Sequence, residues 1–183
     1  YKKDRYVFGI GTGMYYVNTG IFFNAQLVSK LDTHITGYAD RGYGNFTCPI
    51  TIYALEIGLR QYIFDVGTKP VNPFLNMSVN WYHAKIEFTK SGLWVNDLPT
   101  KTVVPLDDAV AKNIGMRTAV GIEITLIKSV KTVVELGYNV ARLTRFNSTY
   151  QGEARYLMTG DDQDVEIGLS GLYARTNVLL LVF

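Results

Sequence analysis

The sequence is short of the residues that build cross-links, metal sites and membrane helices. Its 183 residues include one cysteine, two histidines, two tryptophans and five prolines. The lone Cys48 excludes an internal disulfide and cannot hold a metal ion alone; in FTCPI, just before Pro49, it reads as a loop thiol. No uninterrupted apolar run approaches the roughly 20 residues of a membrane-spanning helix. The longest plainly apolar block is VLLLVF, residues 178–183. That excludes a helical membrane protein but not a membrane β-barrel, whose strands need only about ten alternating residues each. A formal charge of +2, with no basic cluster, argues against nucleic acid as a partner. No signal peptide opens the chain at YKKDRYVFG, which suits a cytosolic protein and a processed export product equally.

What is abundant is alternation. In IGMRTAVGIEI, residues 114–124, the even positions are Ile114, Met116, Thr118, Val120, Ile122 and Ile124. The odd positions are Gly115, Arg117, Ala119, Gly121 and Glu123. Period two marks a strand with unlike faces. A solvated face fills with Lys, Thr, Ser and Glu, whereas this second face is mostly glycine and alanine, as in a cramped polar interior. The same division recurs along the chain and gives one domain, 1–183, of eight strands: 6–17, 21–29, 34–43, 51–64, 72–88, 113–127, 132–142 and 165–183. Asp32 marks a tight turn at 30–33, and 90–112 and 147–164 read as long loops. Turns at 30–33, 66–70 and 128–131 then lie at one end. Connections at 18–20, 44–49, 90–112 and 147–164 lie at the other, and an even strand count brings both termini to the short-turn end. The expected fold is all-β, an eight-stranded antiparallel up-and-down transmembrane β-barrel.

In such a barrel the small residues and the charges share the lumen, which in eight strands is just wide enough for side chains to fill. Glu56, Arg60, Arg117, Glu123 and Glu135 are expected to form a hydrogen-bonded lumen network that blocks a continuous pore, since buried charges must be paired. On a soluble sheet the same residues would be scattered over a solvent face. Lysines fall at strand ends, turns or loops, where charge is least costly to a lipid-facing wall. Tyr16, Tyr53, Trp81 and Tyr138 face outward as candidate interfacial aromatics.

Three stretches carry a resemblance to the small outer-membrane β-barrels of the OmpA/OmpX type. FGIGTGMYYV resembles the first strand of that group, and GLRQYIFDVGTKPVNPFLNMSVNWY resembles its central hairpin. The end at Phe183, with Leu181 and Leu179 at alternate positions before it, is similar to the terminal signal read by the barrel-assembly machinery. Arg175 and Asn177 depart from it, standing where the pattern prefers apolar residues. The resemblance implies insertion in the bacterial outer membrane, contact with its lipids and with the assembly machinery during insertion, and no cofactor or metal.

Function is not set by such a fold. A structural, adhesive or complex-subunit role is expected, with the long loops or the barrel wall offering a surface to a protein partner. A small passive pore is the alternative, followed by a lipid-modifying enzyme and a soluble lipocalin-like carrier. An enzyme is not expected. His34, after the short turn, and His83, near the far rim, would stand roughly 30 Å apart. His83 is followed by Ala84 and Lys85, so it lacks the His-x-Ser arrangement of barrel deacylases. Asp161, Asp162 and Asp164 read as a solvated turn rather than a cation site.

Overall fold

The computed structural model describes residues 7–39, 42–87, 94–95, 108–127, 129–150, 153–156 and 164–180. These residues form strands and no helix: β1 (Val7–Tyr16), β2 (Thr19–Ala39), β3 (Gly42–Tyr62), β4 (Val71–Ile86), β5 (Trp94–Val95), β6 (Ala109–Ile127), β7 (Val130–Val140), β8 (Arg142–Leu143), β9 (Asn147–Tyr150), β10 (Glu153–Tyr156), β11 (Ile167–Gly168) and β12 (Gly171–Leu180). The long strands are neighbours in the order β1-β2-β3-β4-β6-β7-β12, every pair antiparallel. This is an up-and-down sheet, a topology compatible with a β-barrel. Among the described residues no hydrogen-bonded pairing joins β1 to β12.

Among the described residues the path has seven long strands where eight were expected. No turn divides the chain at 30–33: β2 continues through it, with Leu31 opposite Ile50 and Asp32 opposite Pro49, after a register shift between Val28 and Leu31. The turn preference of Asp32 yields to a ladder with β3 that runs on to Ala39 opposite Gly42, and the irregularity is absorbed as a bulge. The expected third strand is therefore the joined ends of β2 and β3. Cys48 lies in that ladder, opposite Thr33, and not in a loop.

The rims change accordingly. The connections at 17–18, 63–70 and 128–129 share one end, and those from β2 to β3, β4 to β6 and β7 to β12 share the other. With an odd path, β1 starts at the long-connection rim while β12 ends at the short-turn rim. Neither long loop is bare of strand: 109–112 belongs to β6, β5 pairs with β3, and β9 pairs with β10 and with Val110 of β6.

Burial confirms the inverted faces. On β3, Leu55 is 54% exposed while Glu56 is 2%, and on β4, Trp81 is 39% exposed while Asn80 is fully buried. Ile57, Leu59, Leu75, Met77, Val120 and Leu136 are all exposed on the convex side. The concave side is not uniformly polar. Toward the long-connection end it carries an apolar cluster including Ile52, Ile86, Leu143 and Phe146. Toward the short-turn end Tyr62, Phe74 and Val133 form a second one, with Leu179 packed on it. Along β3 the order Ile52, Ala54, Glu56, Gly58, Arg60, Tyr62 shows the charged layer lying between the two.

Candidate functional site

Period-two alternation aims Glu56, Arg60, Arg117, Glu123 and Glu135 at the concave side, and pairing across the sheet brings them into two groups. Glu56 is the hub of the first. Its Oε1 accepts from Ser78 Oγ at 2.7 Å and Arg117 Nη1 at 3.2 Å. Its Oε2 accepts from Gln26 Nε2 at 2.6 Å, Asn24 Nδ2 at 3.0 Å and Arg175 Nη1 at 2.6 Å. One carboxylate on β3 thus gathers donors from β2, β4, β6 and β12. Arg175 continues to Glu135, its Nη2 standing 2.5 Å from Oε1. Glu135 also accepts from Tyr173 at 3.1 Å, Asn76 at 3.4 Å and Arg60 at 3.5 Å.

Glu123 anchors the second group. Lys131 Nζ donates to it at 2.5 Å, Tyr62 OH at 2.7 Å and Tyr15 OH at 3.4 Å. Arg117 and Glu123, both expected in one network, have separate partners: the former pairs with Glu56 and the latter with Lys131. Removing these ions from water costs several kcal/mol each, and only dense charge-assisted bonding offsets it.

Aromatic rings complete the packing. The Arg60 guanidinium carbon lies 4.6 Å from the Phe22 ring centre and 5.0 Å from that of Phe74, and Arg117 lies 4.5 Å from Tyr173. The inner glycines make room for these rings. A Cβ at Gly58 would stand 2.2 Å from the Phe22 ring, and one at Gly121 would stand 2.4 Å from the Phe74 ring. Glycine here is a matter of space and not of turn geometry.

Two ions of these groups, Arg175 and Lys131, are not among those expected from the sequence. Arg175 stood out only as a departure from a terminal pattern, yet Tyr173, Arg175 and Asn177 are half-buried while Leu172, Val178 and Leu180 are exposed, so the odd positions face inward. Leu179 shares that inward parity and packs on the Tyr62 cluster. Leu181 and Phe183 lie outside the described residues. Lys131, expected in a turn, is the second residue of β7 and is 4% exposed.

On the convex side Tyr16, Tyr53, Trp81 and Tyr138 are all exposed. The His83 ring lies between two of them, 6.4 Å from Tyr53 and 5.9 Å from Trp81 between centroids. His34 is opposite Thr47 and His83 opposite Tyr53, so both histidines sit toward the long-connection end. Their partners on β3 are roughly 20 Å apart, which replaces the expected 30 Å.

The long-connection rim carries a mixed-charge groove of about 850 Å³ lined by Lys112, Arg142, Arg145, Asp164 and Glu166 among others. Arg142 pairs with Glu166, and Arg145 stands 3.7 Å from Asp164. Asp161 and Asp162 lie outside the described residues. Among the described residues no group of three or more His, Cys, Asp or Glu side chains is placed to hold a metal ion. No protein-family model, curated protein or solved structure matches the chain.

Proposed function

We propose that the chain is an integral β-barrel of a bacterial outer membrane, with a structural, adhesive or complex-subunit role. The observation that carries this reading is the inversion of its faces: paired ions buried on the concave side, large apolar side chains exposed on the convex side. On a soluble protein so extended an apolar exterior would drive aggregation, whereas lipid covers it at no cost.

Dimensions support the same reading. From Tyr53 on β3 to Ile63 just beyond its end, the outward residues include no charge. About ten steps of roughly 3.4 Å, inclined by about 40°, give a band about 26 Å tall, close to the roughly 25 Å apolar belt of outer-membrane barrels. Tyr53, Trp81 and His83 mark its long-connection edge, where amphipathic rings suit a membrane interface.

The packing of the concave side supports the role. Apolar clusters at both ends of the concave side and the ion layer between them leave the interior occupied by side chains, which favours a plug over a conducting path. Lipids are then the main partner, the assembly machinery acts during insertion, and the long-connection rim is the surface for a protein partner. Membrane fractionation with boiled and unboiled gel mobility tests this. Recovery in the outer membrane with a heat-dependent shift supports the barrel; a detergent-independent soluble monomer without a shift contradicts it.

A further inference from the structure

The wall between β6 and β7 is split near the long-connection rim. Its ladder stops at Met116 opposite Val140 and is taken up again only at Val110 opposite Asn147 of β9. Between these points five residues of β6, 111–115, face six, 141–146. The longer side turns to β11 instead, Arg142 pairing with Gly168 and Leu143 with Ile167. The Asn113 side chain spans the gap, donating from Nδ2 to the Arg142 carbonyl at 2.5 Å and accepting the Ile114 amide at Oδ1 at 2.8 Å.

The extra residue brings backbone strain with it. Arg145 has φ 56°, a conformation uncommon outside glycine and asparagine. Bulges and strain of this kind gather at binding and catalytic sites. Here they turn Arg145 into the groove of about 850 Å³ that both sides of the split line. That volume lies within the roughly 300–1,000 Å³ of small-molecule clefts.

Charge and ring chemistry indicate the ligand. Arg142 is fully engaged, meeting Glu166 through both Nε and Nη2. Arg145 is not, since its Nε stands 3.7 Å from Asp164, beyond hydrogen-bond reach. Lys112 is exposed and makes no ion pair among the described residues. Two cations therefore line one groove without a hydrogen-bonded counter-charge. Beside them Thr144 and Asn147 bring a hydroxyl and a carboxamide, and Tyr156, 56% exposed, brings an aromatic face.

We infer that the split between β6 and the 141–146 segment is a binding site for a phosphorylated sugar. Lys112 and Arg145 hold the phosphate, Tyr156 supports the sugar ring, and Thr144 and Asn147 bond its hydroxyls. Asp164 competes with the phosphate for Arg145. The site stands on the geometry of the rim and does not rest on the membrane reading.

Calorimetric titration of the folded protein in a sugar-free detergent tests it, with α-glucose 1-phosphate, glucose and inorganic phosphate as probes. Glucose 1-phosphate is expected to bind at least about tenfold more tightly than either of the others. Lys112→Gln and Arg145→Gly should each weaken it by about tenfold or more, through loss of a charge-assisted bond. Arg145→Gly should do so while the urea midpoint holds or rises, because glycine adopts this φ freely. Asp164→Asn should tighten binding by about threefold or more by releasing Arg145 and removing a like charge.

The same titration in vesicles carrying a phosphorylated glycolipid separates two sources of the ligand. Lost binding of glucose 1-phosphate there means that the groove takes a lipid headgroup, and unchanged binding means a soluble sugar; both support the site. No binding of glucose 1-phosphate in detergent, equal binding of glucose 1-phosphate and inorganic phosphate, or indifference to both Lys112→Gln and Arg145→Gly would overturn the proposal and leave the membrane reading intact.

Discussion

Glu56 of β3 and Arg175 of β12, 119 residues apart in sequence, meet at 2.6 Å on the concave side of the sheet. Three strands of the path, β4, β6 and β7, separate them if followed around the sheet, so their contact is made across the interior. It links the first half of the chain to its last long strand, and Arg117 and Glu135 bracket it on either side.

Breaking that contact from one side should be worse than removing it from both. Glu56→Gln leaves Arg117 and Arg175 without their shared charge and should destabilise by about 3–5 kcal/mol, the usual cost of orphaning a buried ion. Glu56→Gln with Arg175→Met should recover a large part of that loss. Urea unfolding of the folded, detergent-bound protein measures both; strictly additive losses would show that the ions act independently.

The two ion groups should behave as separate units. Exchanging Arg117→Glu with Glu123→Arg should give no rescue and a coupling below about 0.5 kcal/mol, since the residues share no partner. Glu123→Gln with Lys131→Met should couple by about 1 kcal/mol or more. A double-mutant cycle distinguishes them, and rescue by the first pair would show that the partners are misassigned.

Packing at Gly58 makes a third test. Gly58→Ala places a methyl group 2.2 Å from the Phe22 ring and should cost about 1–3 kcal/mol through overpacking. Phe22→Leu in the same chain should recover part of it by withdrawing the ring. If Gly58→Ala alone is neutral in urea unfolding, the ring does not lie against β3.

The β1–β2 turn stores strain. Val17 has φ 55°, a region unfavourable to a β-branched side chain, while its carbonyl accepts the Val66 amide at 2.8 Å. Val17→Asn should therefore raise stability by about 1 kcal/mol, because asparagine tolerates this conformation and the backbone bond is kept. A lowered unfolding midpoint would place the strain elsewhere.

Much of this was legible in period two. The opposed faces of residues 51–62, 72–86 and 113–124 were readable because apolar and small or charged residues alternate there without interruption. Residues 30–43 were not, because neither face is cleanly apolar and Asp32 signals a turn that pairing with β3 overrides. The rims, and the strand count among the described residues, departed from expectation with that one segment. Arg175 and Lys131 were hidden for another reason: the sequence marks Lys131 as a turn charge and Arg175 as a break in the terminal apolar pattern, and only strand pairing and the curl of the sheet bring them to Glu56 and Glu123. The apolar clusters of Ile52 and Phe146 were unreadable for the same reason, since an inward isoleucine looks like any other until its neighbours are known.

The measurement that bears most directly on the account is fluorescence of Trp81. With Trp94→Phe as background, the protein is folded into vesicles whose acyl chains carry bromine near the headgroup. A convex face in lipid predicts strong quenching of Trp81 by the brominated chains and weak quenching by aqueous acrylamide. Strong acrylamide quenching with no response to the brominated lipid would mean that the apolar face does not meet a bilayer.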